Sequence, residues 1–227
     1  MADSHLTPLT TRQARRLLTS EERKSEIVQT AANLFDAAGY TSTTMEEIAR
    51  TVGVAKATLY HYFPSKDDIL FEIHEEFIDL LMDRQHQRLA LEPEQELHEV
   101  MSDILELMET HRGHVRVFFE HYRELPAPQQ ETLKIKRDAY EGAVAEIFRK
   151  GCVSGVFRDV DPRLASLAMF GMCNWAYQWY QSGGKYRPRE IANEFWGFLA
   201  HGLSSQQTHP PVNSRPPLDG PPPFVEQ

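Results

Sequence analysis

Between Thr44 and Pro64 the chain has room for two short helices and little else. Thr44 stands three residues before Glu47, the spacing of a capping box, in which the hydroxyl accepts from the N3 amide and the carboxylate reaches back. Helical spacing then holds as far as Gly53, a residue free to adopt the positive φ of a tight turn. A second helix fits only from about Ala55 to Tyr62, because Phe63 precedes Pro64 and is steered out of the α region. A helix, a three- to four-residue turn containing glycine and a second helix make a helix-turn-helix. Ile48, Ala49, Val52, Val54 and Leu59 have the spacing to seal the angle between the two, and Ala49 is small where they approach.

The second of these helices ends in four consecutive rings, Tyr60, His61, Tyr62 and Phe63, which cannot all face one core. Phe63 follows Leu59 by four residues, so those two share an inward face. Lys56, Ala57, Thr58, Tyr60 and His61 then project outward, and Tyr62 is left undecided between the faces. An outward face of Lys, Thr, Tyr and His suits a DNA major groove, where hydroxyls and the ammonium bond phosphates and His bonds a phosphate or a base edge. Thr43 or Thr44 on one side and Lys66 on the other would frame it with further phosphate contacts. On this reading, replacing Tyr60 or Lys66 by alanine weakens DNA binding and leaves the fold intact. The alternative is a small helical subdomain whose exposed rings pack on its neighbours.

Helical periodicity recurs along the rest of the chain, and period-two alternation is almost absent. A first helix is expected from about Glu21 to Ala38, with Ile27, Ala31, Leu34 and Phe35 as its stripe and Gly39 as its cap. Ser65 caps a fourth helix from about Lys66 to Leu91, with Asp67 and Asp68 at the positive end of its dipole. Ile69, Leu70, Ile73, Phe77, Leu80 and Leu81 form its stripe. Further helices are expected over 94–111, 114–124, 128–154, 162–181 and 188–204, with breaks at Arg112-Gly113, Pro126 to Pro128, Gly155 to Pro162 and Ser182 to Gly184. The fold class is therefore all-α, with about nine helices: a helix-turn-helix unit over 21–66 and a larger helical unit over 67–205. A basic arm over 1–20 precedes them. Residues 206–227 hold seven prolines and are expected to form a disordered tail, with a polyproline ligand segment as the alternative.

The net charge of −9 weighs against nucleic acid only until it is divided along the chain. Residues 1–66 hold eight Lys/Arg against seven Asp/Glu, and the remainder holds 16 against 26. Arg12, Arg15, Arg16, Arg23 and Lys24 lie close together near the start, either as a solvated arm or as a minor-groove contact. Two widely separated cysteines, Cys152 and Cys173, exclude a disulfide scaffold and a Cys-rich zinc site. With no apolar leader segment and no run long enough for a membrane span, a soluble cytoplasmic protein is expected.

The stretch TMEEIARTVGVAKATLYHYFPSKDDIL, with IVQTAANLFDAAGYTSTT before it, resembles the DNA-binding domain of the TetR family of transcriptional repressors over about residues 22–72. The resemblance implies an all-α homodimer on a palindromic operator. It also implies a C-terminal helical domain that binds a small ligand and dimerises through its last two long helices, here about 162–181 and 188–204. By the same resemblance Thr44, Lys56, Thr58, Tyr60, His61 and Lys66 occupy DNA-contact positions.

More loosely, NWAYQWYQSGGKYRPREIANEF, FFEHYREL and KIKRDAYEGAV resemble TetR-type regulators that sense acyl-CoA thioesters. An acyl chain requires an apolar tunnel, for which Phe118, Phe119, Tyr122, Tyr140, Phe148, Trp175 and Trp179 are candidates. Asn174 is a candidate partner for the thioester carbonyl. CoA phosphates require cations, with Arg123, Lys134, Lys136, Arg137 and Arg149 available. For each aromatic the competing role is ordinary core packing, and for each cation a surface ion pair. Ala168, Gly171 and Ala176, with Phe195, Trp196, Phe198, Leu199 and Leu203, suit a four-helix dimer interface or an intrachain core.

His111, His114 and His121, with Glu120, lack the convergence a metal site needs, and no metal or other cofactor is expected. No phosphate-binding glycine loop, nucleophile elbow or spaced carboxylate pair is present, which places an enzyme well behind a ligand-responsive repressor. Two alternatives stay open. One is a TetR-type regulator of a cationic or other hydrophobic molecule, and the other is a helical ligand-binding protein with a vestigial helix-turn-helix.

Overall fold

A computed structural model describes residues 19–88 and 91–203. The arm over 1–18 and the proline-rich tail from 206 onward lie outside the described residues. Nine α-helices run in order within them: α1 Ser20–Ala38, α2 Met45–Val52, α3 Lys56–Tyr62, α4 Lys66–His86, α5 Pro93–Thr110, α6 Arg112–Glu120, α7 Ala127–Val153, α8 Pro162–Asn174 and α9 Pro188–Leu203. Short 3-10 turns cover Tyr122–Glu124 and Trp175–Gln178. Among the described residues there is no strand, and no helix is long and apolar enough to cross a membrane.

Local chemistry accounts for the helix ends around the helix-turn-helix. Thr19 and Glu22 form a complete capping box on α1, and Ser65 with Asp68 forms another on α4. On α2 only half of the expected box forms: the Thr44 hydroxyl accepts from the Glu47 amide at 3.2 Å, while the Glu47 carboxylate pairs with Arg50 at 3.9 Å. Gly53 ends α2 in the left-handed region at φ 81°, a conformation that carries little penalty only without a Cβ. Phe63 ends α3 at φ −134° and ψ 108°, the extended conformation required ahead of Pro64.

Four boundaries differ from expectation, the first being that the helix expected over 114–124 ends at Glu120, ahead of a 3-10 turn. Helix α4 stops at His86 rather than near Leu91. There Arg88 folds back into ion pairs with Asp103 and Glu99 of α5. The break expected at Arg112-Gly113 falls instead at His111, and Gly113 sits inside α6. The helix expected over 162–181 ends at Asn174 and tightens into the 3-10 turn.

Two buried clusters organise the packing. The first joins α1, α2 and α3 with Ile69, Leu70 and Ile73 of α4, and also takes in Val117 of α6 and Leu133 of α7. Leu59 and Phe63 seal it, each almost fully buried and each contributing roughly 1.5–3 kcal/mol by leaving water. The second cluster gathers Phe77, Ile78 and Leu81 of α4 with α5 to α9. Helices α4, α6 and α7 thus belong to both clusters.

Candidate functional site

Helix α3 presents the outward face that its spacing predicts. Thr44, Lys56, Thr58, Tyr60 and His61 are all exposed, while Leu59 and Phe63 are buried. Tyr62, left open by the sequence, is half-buried against the first cluster and edge-on to His61 at 5.7 Å. The Lys56 ammonium pairs with the Glu46 carboxylate of α2 and lies 5.8 Å from the Tyr60 ring centroid. That hydrogen bond, more than the Coulomb attraction, raises the Lys56 pKa and lowers that of Glu46.

Two residues expected on this face do other work. Thr43 is fully buried, and its hydroxyl donates to the Gly39 carbonyl at 3.0 Å, so it offers nothing to a phosphate. Lys66 is turned inward. Its ammonium donates to the carbonyls of Tyr40 and Thr43 at 2.7 and 2.9 Å and stands 4.2 Å from the Tyr40 ring centroid. Two of its three donors therefore hold the turn between α1 and α2. The expectation that alanine at position 66 spares the fold is corrected accordingly. The Tyr40 hydroxyl donates to Asp67, and burial first, then that carboxylate, raises its pKa.

A cavity of about 60 Å³ lies in the second cluster. Helix α4 contributes Phe77, Ile78 and Leu81 to its wall, α5 contributes Ile104, and α6 contributes Phe118 and Phe119. Helix α7 adds Arg137, Tyr140 and Glu141, and α8 closes it with Phe170 and Asn174. Five of the ten residues proposed from sequence for a ligand therefore converge: Phe118, Phe119, Arg137, Tyr140 and Asn174. The other five do not. Phe148 is fully buried, 6.1 Å from Phe157 in closed core. Trp175 and Trp179 are 64% and 43% exposed on the surface. Arg123 is exposed outside the cavity, and Tyr122 packs on the first cluster with its hydroxyl donating to the Gln130 carbonyl at 2.8 Å. Phe77, Ile78, Leu81, Ile104 and Phe170 are wall residues that the sequence did not single out. Phe77 and Leu81 stood in the expected α4 stripe, but a stripe does not distinguish a cavity wall from closed core.

The candidate cations are mostly occupied. Lys134 pairs with Asp138, Lys136 with Glu75 and Asp79, and Arg149 with Glu146. Arg137 instead stacks over the Tyr122 ring at 4.4 Å. His111 and His114 face each other at 5.7 Å, and His114 lies 3.6 Å from Glu76. Among the described residues no group of three or more His, Cys, Asp or Glu side chains is placed to hold a metal ion.

Helices α8 and α9 carry an apolar surface. Leu164, Ala168, Gly171 and Trp175 recur at four- and three-residue steps and are exposed, with Leu167 beside them. Phe198 of α9 is 66% exposed next to this stripe. A groove of about 480 Å³ runs between the two helices. Phe195, Trp196 and Leu199 turn partly inward onto the second cluster, and Leu203 is buried in it.

The family model described as bacterial regulatory proteins, tetR family, matches residues 27–73, and one described as a tetracyclin repressor-like C-terminal domain matches residues 90–203. The chain is similar to the HTH-type transcriptional repressor KstR2 of Mycolicibacterium smegmatis, at 25% identity over 82% of this chain and 92% of that protein. Among solved structures, the TetR-family regulator PfmR of Thermus thermophilus superposes with a TM-score of 0.74 at 30% identity, over 78% of this chain and 98% of the other. AibR, solved in complex with isovaleryl coenzyme A and operator DNA, gives a TM-score of 0.71 at 27% identity, over 78% and 97% of the two chains. The helix-turn-helix with its exposed α3 face and the helical second core thus belong to one known architecture, and the chain is a member of the TetR family of DNA-binding transcriptional regulators.

Proposed function

We propose that the protein is a dimeric transcriptional repressor, released from a palindromic operator by an acyl-CoA thioester bound in the α4–α8 cavity. Residues 21–66 form the reading head and residues 67–205 the effector and dimer unit. Thr44, Lys56, Thr58, Tyr60 and His61 contact DNA, with α3 in the major groove and half-sites about one helical turn apart. The apolar stripes of α8 and α9 pair across a two-fold axis into a four-helix interface.

The observation that carries this reading is the position of the cavity between helices that also build the first core. Phe77, Ile78 and Leu81 line it from α4, whose opening turns pack under α1 to α3. Phe118 and Phe119 line it from α6, whose first turns lie against α1 through Gly113 and the 3.0 Å Arg116–Asp36 ion pair. At about 60 Å³ the cavity has room for roughly two waters, so any acyl group must widen it. Widening displaces α4 and α6, and with them the reading heads of the two subunits. Effector binding releases DNA to the extent that it favours the widened state, and a 100-fold preference is worth about 2.7 kcal/mol.

The similarity to AibR favours an acyl-CoA, and isovaleryl-CoA is the first probe. Operator affinity is measured by fluorescence anisotropy with and without it, over a salt series. Release of operator by isovaleryl-CoA, on top of a steep salt dependence, is the expected result. Glu141 at the cavity favours a second reading, a hydrophobic cation. Release by an apolar quaternary amine and not by any acyl-CoA would replace the first reading with this one.

A further inference from the structure

His74 is fully buried on α4, and neither ring nitrogen has a hydrogen-bond partner. It stands three, four and seven residues before Phe77, Ile78 and Leu81, and so shares their face of the helix. Those three line the cavity, and His74 lies one turn nearer the reading head, just behind its wall. Its ring lies 5.3 Å from that of Phe118, another wall residue. On the other side is Tyr122, at 6.1 Å, whose ring carries the Arg137 guanidinium at 4.4 Å. Arg137 also lines the cavity.

Buried polar groups in folded proteins are nearly all paired, so an imidazole with both nitrogens unsatisfied marks a place that something else fills. Burial first, and then the neighbouring Arg137 charge, push the His74 imidazole down to about 3. It is therefore neutral at ordinary pH, with one N–H to give. Arg137 can only donate. Arg137 in the cavity wall and His74 behind Phe118 are two donors that an oxygen acceptor would satisfy once the cavity widens past that ring.

We propose that His74 is an effector-binding residue. Its N–H and the Arg137 guanidinium hold the carbonyl oxygen of the bound acyl thioester, and the acyl chain fills the space between Phe77, Phe118 and Phe170. Arg137 is half-exposed, so the coenzyme portion leaves the cavity past it. Asn174, the other candidate for the carbonyl, is half-buried and is not among the buried groups that lack a partner. The assignment makes α4 the direct reader of the thioester, on the same helix that enters the first core. It rests on the acyl-CoA reading above and names the atom recognised.

Butyryl-CoA and S-butyl-CoA test it, because the thioether lacks only the carbonyl oxygen. By calorimetry the wild-type dimer is expected to bind butyryl-CoA roughly tenfold more tightly, the equivalent of one well-made hydrogen bond. His74→Phe keeps the ring volume and is expected to lose most of this preference, Arg137 retaining the remainder, while His74→Gln, which retains an N–H, recovers part of the loss. In the wild-type protein the ring 15N resonance of His74 shifts with butyryl-CoA and not with S-butyl-CoA, a readout that holds even if the variants fold poorly. Equal discrimination by wild type and His74→Phe, or an unmoved resonance, overturns the assignment and leaves the acyl-CoA reading standing. Binding of neither CoA removes that reading and this assignment together. If a fixed water is the resident partner of His74, the wild type treats the two CoAs alike, which also overturns the proposal.

Discussion

Gly113 of α6 lies so close to α1 that a Cβ on it would stand 2.9 Å from the Asn33 Oδ1 and 3.0 Å from the Ala32 carbonyl carbon. Backbone cannot yield as a flexible side-chain tip does, so the missing side chain sets the separation of the two helices. This contact joins the helix that carries Phe118 and Phe119 to the first helix of the reading head. Gly113→Ala is expected to destabilise the protein by about 1–3 kcal/mol, the usual range for overpacking a close contact. Urea unfolding measures it, and an unchanged midpoint would show that the helices separate freely.

The Lys66 bonds to two carbonyls predict a structural phenotype for its loss. Lys66→Met removes the ammonium from both carbonyls; that of Tyr40 keeps the 3.3 Å bond from the Thr43 amide, while that of Thr43 loses its Lys66 donor, at about 1–3 kcal/mol for an unpaired buried group. A fall in thermal midpoint together with weaker operator binding is expected. Loss of binding at full stability would instead return Lys66 to the phosphate-contacting set.

Tyr60→Ala and Lys56→Ala remove exposed side chains and are expected to change stability by no more than about 0.5 kcal/mol. Operator affinity should fall in both, and for Lys56→Ala the salt slope should flatten by about one unit. Glu46→Gln frees Lys56 from its ion pair and removes a negative charge beside the same surface. Tighter operator binding is expected, measured by anisotropy at fixed low salt.

On α8 and α9, Leu164→Glu and Phe198→Glu place charge on an apolar face that folding leaves open. Sedimentation should show dimer for the wild type and monomer for the double variant, with helical content retained. A dimer that survives both changes locates the interface elsewhere.

Stability should also depend on pH through His74. Its folded pKa of about 3 lies below the ordinary value near 6.5, so below 6.5 the unfolded chain binds a proton that the folded one refuses. Stability is then retained above about pH 6.5 and falls as pH drops toward 3, by at most ~1.4 kcal/mol per pH unit. Carboxylates titrate in part of this window, so the comparison is with His74→Phe, whose decline between pH 6 and 4.5 should be shallower. Parallel curves would remove the effect.

The helix-turn-helix was legible because its determinants are local. Thr44, Gly53, Phe63-Pro64 and Ser65 act through caps, a positive φ and a steric exclusion, each complete within four residues of chain. The inward pair Leu59 and Phe63 follows from one helical period. The break at Gly113 was misread for the converse reason: alone, a glycine signals a helix end, and only α1 lying across it shows that the residue is small to admit a neighbour. The inward bonds of Thr43 and Lys66 were hidden from the sequence in the same way, their partners Gly39 and Tyr40 being supplied by the turn into which the chain folds.

Periodicity and capping chemistry suffice for the all-helical class, the two helices of the reading motif and the stripes that are buried. Which buried aromatics surround empty space depends on how the helices pack against one another. Phe118 and Phe148 are equivalent to any periodicity argument, yet one lines the cavity and the other fills closed core against Phe157. Periodicity reports which face of a helix leaves water, whereas a void is what remains after five helices have packed at fixed distances. The unpartnered nitrogens of His74 are of the same kind, since only the complete set of neighbours shows that none of them supplies a bond.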